Sequence, residues 1–151
     1  AVVDTDVLNT DGNSSKVSTT VAMDYADVDL PNGDRLRLYG TPGQRRFEFI
    51  WSILLEGAAG VLVLVDATCA NVDEELACYL ETLERKAPGV PAVIGVTKSD
   101  IATPEQVEHC AQQLVVHPRL LPMVPFDARR EQDGMMLMDI LMSEIETSAL
   151  V

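Results

Sequence analysis

The chain has 151 residues, 47% of them apolar, which is enough material for one sizeable core and fits a single domain. Eleven Lys and Arg stand against 24 Asp and Glu, and the resulting net charge of −13 would repel phosphate backbones and anionic lipid surfaces. Nucleic acid and membrane insertion are thereby disfavoured: the longest apolar run, Ala58 to Val65, is about a third of what a spanning helix requires. No basic segment followed by an apolar one opens the chain, so the expected compartment is cytoplasmic. Cys69, Cys78 and Cys110 are odd in number and lack CxxC or His spacing, which predicts reduced, buried thiols rather than a zinc site or a disulfide framework.

Residues 1–19 mix Asp, Asn, Ser, Thr and Gly without an apolar period and read as a mobile arm, leaving 20–151 as the folded domain. Apolar residues alternate from Val21 to Leu30 and from Arg35 to Tyr39 around Pro31-Asn32-Gly33-Asp34, which predicts an antiparallel hairpin closed by an Asn-Gly turn. Phe47, Ile50, Trp51, Leu54 and Leu55 then mark one face of a helix that stops near Gly57. Val61 to Val65, Ala92 to Val96 and Leu120 to Phe126 are apolar on both faces, as strands inside a parallel sheet are.

Helices alternate with these strands. Val72, Leu76, Leu80 and Leu83 stripe the first, and Val107, Cys110 or Ala111, and Leu114 the second. The second starts on Thr103 as N-cap, with Pro104 at the first helical position and Gln106 completing a capping box. Met138, Leu141, Met142 and Ile145 stripe a C-terminal helix, where methionines at this spacing serve as core. The order predicts an α/β three-layer sandwich with a mostly parallel sheet and one antiparallel edge, and ligands in such sheets bind at the carboxyl ends of the strands.

The chemistry-bearing residues fall at those strand ends. Thr97-Lys98-Ser99-Asp100 follows the Ala92 to Val96 strand, and a carboxylate held edge-on there can accept two N–H bonds from a guanine ring. Phe126-Asp127-Ala128-Arg129 closes the next strand, and Gly40-Thr41-Pro42-Gly43-Gln44 follows the hairpin. Thr20 lies just ahead of the hairpin, with Thr19 able to fill the same place by a one-residue slip. Alone, each of these is an ordinary turn. In this order, over residues 15–147, they resemble the Ras-like small GTPase superfamily.

That resemblance implies a P-loop NTPase fold of the small G-domain type that binds GTP or GDP and Mg²⁺. Thr97, Lys98 and Asp100 would form the guanine-specificity motif, with the Lys98 stem over the nucleotide. Ala128 and Arg129 would lie in the SAK-type loop, whose backbone N–H at the Ala position meets the guanine oxygen. Gly43 would sense the γ-phosphate, Gln44 would position the attacking water, and Thr20 would reach Mg²⁺ and the γ-phosphate. The Gly40 form of the switch motif, Thr20 to Tyr25 and Arg46-Phe47 further resemble a bacterial branch akin to gliding-motility GTPases, which implies a regulatory protein partner of the roadblock type.

Two departures qualify the match. Gly40 stands where the superfamily has the Asp that holds Mg²⁺ through water, so metal binding must lean on other ligands. Phosphate cradling needs GxxxxGK[ST] between a strand and a helix, whereas Gly12 to Lys16 has one Gly and follows no strand. The expectation is therefore a G domain lacking its first strand, P-loop and first helix: residues 1–151 alone would bind nucleotide poorly, turn over little GTP, and either aggregate or pair with a second copy to repair the sheet, the alternative being that they are the ordered part of a longer polypeptide. Gln44 favours a slow GTP-hydrolysing switch; Gly40 favours a degenerate G domain that serves as a protein-interaction module. A receiver-type phosphoacceptor at Asp66 is the remote alternative, disfavoured because Thr97 and Lys98 are adjacent, so Asp66 is read as capping the turn after its strand. Arg45 and Arg46 read as a solvated pair rather than a transition-state charge.

Overall fold

A computed structural model of the chain describes residues 6–8, 18–20, 24–41, 43 and 48–150. The chain divides into two compact units, Ala1–Leu54 and Leu55–Val151. In the first unit, β1 (Asp6–Leu8) pairs antiparallel with β2 (Ser18–Thr20), so the segment read as an arm contains a short ladder with Asp6 opposite Thr20. The predicted hairpin follows as β3 (Asp24–Asp29) and β4 (Arg35–Gly40), antiparallel from Asp24 opposite Gly40 to Asp29 opposite Arg35. Its turn is fixed locally: Gly33 takes φ +90°, a region open to glycine at little cost, and the Asn32 side chain accepts from the Asp34 N–H at 3.0 Å.

Tyr25 and Tyr39 face each other across this ladder with ring centroids 5.2 Å apart, and Arg35 meets Asp29 at 2.9 Å. Helix α1 (Glu48–Leu55) then buries Trp51, and the chain leaves it through Gly57 at φ +85°, the stop expected there.

The second unit alternates strand and helix. It runs β5 (Val61–Asp66), α2 (Val72–Lys86), β6 (Ala92–Thr97), α3 (Pro104–Val115), β7 (Met123–Pro125) and α4 (Glu131–Ala149). The three strands form a parallel sheet in the order β5-β6-β7, with Asp66 beside Thr97 and Val96 beside Pro125. Strand alternation splits its side chains between two cores. Val65, Ile94 and Val96 pack with Leu76, Leu80 and Leu83 of α2 and Cys110 of α3, whereas Val93 packs with Leu137 and Leu141 of α4. This is the expected α/β sandwich, helix layers on either face of a parallel sheet, and it is compatible with a P-loop NTPase-like fold.

The parallel strands and the antiparallel pair are both present as expected. The structure corrects two details. The strand expected over Leu120 to Phe126 shortens to Met123–Pro125. Pro118 and Pro122, ahead of it, have no N–H to give a ladder, and Leu120 is almost wholly exposed. The α4 stripe holds in part: Leu141 is buried and Ile145 packs beside it as expected, but the other buried position is Leu137, and Met138 and Met142 are only half-buried.

Helix α3 begins as its sequence requires. Thr103 Oγ1 accepts from the Gln106 N–H, and the Gln106 side chain accepts from the Thr103 N–H at 2.8 Å. Cys78 and Cys110 are buried and Cys69 is half-buried, all three as free thiols. Among the described residues no helix is long and apolar enough to cross a membrane.

Candidate functional site

Parallel register brings three loops to one end of the sheet. Residues 66–69, 97–100 and 126–129 follow β5, β6 and β7, and backbone bonds lace them at the strand ends: Ala67 N–H to the Thr97 carbonyl at 3.1 Å, and Phe126 N–H to the Val96 carbonyl at 2.9 Å. Thr97 turns its hydroxyl inward to the Val65 carbonyl at 3.1 Å, so it ties β6 to β5. Lys98 is the one described non-glycine residue in the left-handed region, at φ +57°. A lysine there is unusual, and its carbonyl is held by two N–H donors, Ile101 at 3.2 Å and Ala102 at 3.0 Å, in the turn that leads to α3.

Asp66 anchors Lys98 from the neighbouring strand. Its Oδ2 takes the Lys98 ammonium at 2.6 Å, while Oδ1 accepts from the Thr68 N–H at 2.9 Å and the Thr68 hydroxyl at 2.6 Å. Burial pushes the Asp66 carboxyl up, but the Lys98 and Thr68 donors outweigh it and hold its pKa below the ordinary value; the same contact raises that of Lys98. The turn-capping role read for Asp66 is therefore present. Its pairing with Lys98, across 32 residues, is not something the local sequence signals. Burial, together with the nearby Asp66 and Glu75 carboxylates, raises the Cys69 thiol and keeps it protonated.

The loop after β7 is ordered around Asp127. Its N–H donates to Asp133 of α4 at 3.0 Å and its carbonyl accepts from the Arg130 N–H at 3.0 Å. The Arg129 guanidinium forks onto both Asp127 carboxylate oxygens, through Nε at 2.9 Å and an Nη at 2.8 Å. That fork, with the Arg129 N–H, lowers the Asp127 carboxyl to about 2. The Ala128 N–H has no partner among the described residues and its residue is exposed at the loop tip. Asp100 is also exposed, and Arg129 reaches it at 3.5 Å.

Five of the predicted positions, Thr97, Lys98, Asp100, Ala128 and Arg129, are thus gathered at the carboxyl end of one parallel sheet. Thr20 and Gly43 belong to the other unit: Thr20 is a backbone position in β2, and Gly43 is exposed. Gln44, with Pro42, Arg45, Arg46 and Phe47, lies outside the described residues. Gly40 ends β4 opposite Asp24, where a side chain at position 40 would start 3.3 Å from the Asp24 Cβ. No group of three metal-ligating side chains occurs among the described residues.

Over 102 residues the chain is 31% identical to an uncharacterized protein of Methanocaldococcus jannaschii, a match covering 64% of this chain and 62% of the relative. Over 112 residues it is 30% identical to the GTP-binding protein ypt4 of Schizosaccharomyces pombe, covering 65% of this chain and 48% of that protein. The chain therefore spans between about half and two thirds of the relatives it matches. A family model described as conserved hypothetical ATP binding protein matches residues 1–144, and together with the ypt4 match it supports a P-loop GTPase-like superfamily. With nearly the whole length matched, the chain belongs to that conserved hypothetical ATP binding protein family.

Proposed function

We propose that the chain carries the base-binding side of a guanine-nucleotide switch, and that Asp100 selects the base. One observation carries the reading: at the carboxyl end of the parallel sheet, an exposed carboxylate, a lysine pinned by its neighbour and an unpartnered backbone N–H stand on adjacent loops. These groups fit guanine. Asp100 accepts from the ring N–H and the exocyclic amine, the Ala128 N–H donates to the ring oxygen, and the Lys98 stem lies along the ring face. Adenine offers neither the paired donors nor that oxygen. The family description names ATP and the name of the ypt4 relative names GTP; the base-site chemistry favours the second.

In this reading Gln44 orients water for slow hydrolysis, Thr20 and Gly43 sense the γ-phosphate, and a partner protein of the roadblock type orders the 41–47 loop to speed the reaction. When bound, Mg²⁺ would neutralise charge between the β- and γ-phosphates. Among the described residues no three carboxylate, imidazole or thiol side chains gather into a cation site. A second reading, a G domain that binds partners and hydrolyses little, is favoured by Gly40, because the position of the usual carboxylate is crowded by Asp24.

Asp100→Asn tests the assignment in the full-length protein. Asn replaces an acceptor with a donor, so GTP affinity should fall by roughly ten- to hundredfold, one charge-assisted bond in free energy, while affinity for xanthosine triphosphate rises. An unchanged ratio of GTP to xanthosine triphosphate affinity overturns the role of Asp100.

A further inference from the structure

The loop after β7 places a second carboxylate, Asp127, near the one assigned to the base. Arg129 stands between the two. Its fork is filled side-on by Asp127, at 2.9 and 2.8 Å, and the same Nη that closes the fork extends to Asp100 Oδ2 at 3.5 Å. Asp127 is itself fastened at both ends of its backbone, to Asp133 and Arg130, so the fork is anchored to the start of α4.

We propose that Asp127 and Arg129 form a clip that orients the Asp100 carboxylate for two-point recognition of guanine, with Arg129 acting through Asp100 rather than on the nucleotide. The proposal rests on the guanine reading and deepens it. A carboxylate oxygen has two lone pairs, so an Nη contact on Oδ2 leaves one acceptor position there and both on Oδ1 for the base. An arginine already spent bidentately on Asp127 has a fixed plane and cannot swing onto a phosphate without breaking that fork. Without the cation, Asp100 and Asp127 are like charges on neighbouring loops, and Asp100 turns away.

Inosine diphosphate reads the orientation. Hypoxanthine lacks the exocyclic amine, so a carboxylate held square takes two bonds from guanine and one from hypoxanthine, whereas a carboxylate free to rotate gains less from the second donor. Binding of GDP, inosine diphosphate and ADP to the full-length protein should be measured by calorimetry for the parent, Arg129→Ala, Arg129→Lys, Asp127→Asn and the Arg129→Ala/Asp127→Asn double variant. The clip predicts that Arg129→Ala and Asp127→Asn each lower the ratio of GDP to inosine diphosphate affinity by about tenfold, one bond's discrimination. The double variant falls no further than either single one, because both break the same device. Arg129→Lys restores neither the ratio nor the GDP affinity lost with it, since an ammonium cannot fork.

The side chains concerned lie at the surface, so melting temperatures should stay within a few degrees, and a ratio that falls only with the melting temperature contradicts a positioning role. If Asp127→Asn keeps the ratio while Arg129→Ala weakens all three nucleotides equally, Arg129 touches the nucleotide itself and the clip is wrong. A parent preference for GDP over ADP, with a ratio of GDP to inosine diphosphate affinity that no variant lowers, overturns the clip alone. A parent with no such preference overturns the guanine reading and the clip together.

Discussion

Asp127 is half-buried, yet holds its proton less tightly than an ordinary carboxyl, because the Arg129 fork and backbone N–H both favour the charged form. The direction fixes the pH dependence. A carboxyl whose folded pKa lies below the unfolded value contributes stability above that unfolded value, and the contribution is lost as pH falls through the folded one. For Asp127 the window runs from the ordinary value of 3.8 down to about 2. A side-chain carbon NMR titration should find its midpoint near 2, and Arg129→Ala should return it towards 3.8; a midpoint near 3.8 in the parent would mean the fork does not hold in solution. Lys98 makes a related point about backbone. Its positive φ is strained for a lysine, and it is held there by the Asp66 contact and two N–H donors onto its carbonyl, an arrangement typical of a residue placed for function rather than for folding.

Among the elements, those whose local and tertiary signals agree form as read. The α2 stripe is buried throughout at Val72, Leu76, Leu80 and Leu83, and the α3 capping box closes in both directions. Thr103→Ala should therefore cost about 0.5 to 2 kcal/mol in denaturant unfolding. Thr103→Ser should retain most of that, and equal loss from both would mean the cap is idle. Where an element depends on partners distant in sequence, periodicity misleads. On α4 the methionine stripe is offset from the buried line because the packing face is set by Val93 and by Gly95, whose missing side chain leaves room for Leu137. Around β7 three prolines in eight residues interrupt an apolar run, and the ladder is confined to Met123–Pro125. The positions of Thr97, Lys98, Asp100 and Ala128 at strand ends were legible because those ends can be read from the apolar runs that precede them. The Asp66–Lys98 and Asp100–Arg129 contacts were not, since they join residues 32 and 29 apart that no local pattern relates.

At the scale of the molecule, the two compact units divide the proposed labour. The Leu55–Val151 unit holds the base loops on a three-layer sandwich, and the Ala1–Leu54 unit holds Thr20, Gly40 and Gly43. Hydrolysis, in this account, depends on Gln44, which orders water only when its loop is held. Gln44→Ala should lower single-turnover GTP hydrolysis of the full-length protein at least about tenfold without weakening GTP binding, the pattern of an interaction made in the transition state. Unchanged rates, alone and with a stimulating partner, would favour the non-hydrolysing module that Gly40 suggests.

Base choice is the claim from which the rest follows, and the family description and the loop chemistry point to different purines. The direct test is competition calorimetry of GDP against ADP on the full-length protein. Asp100, Ala128 and Lys98 predict GDP tighter by at least about a hundredfold, the loss of two charge-assisted bonds to adenine; ADP binding as tightly as GDP would contradict the account.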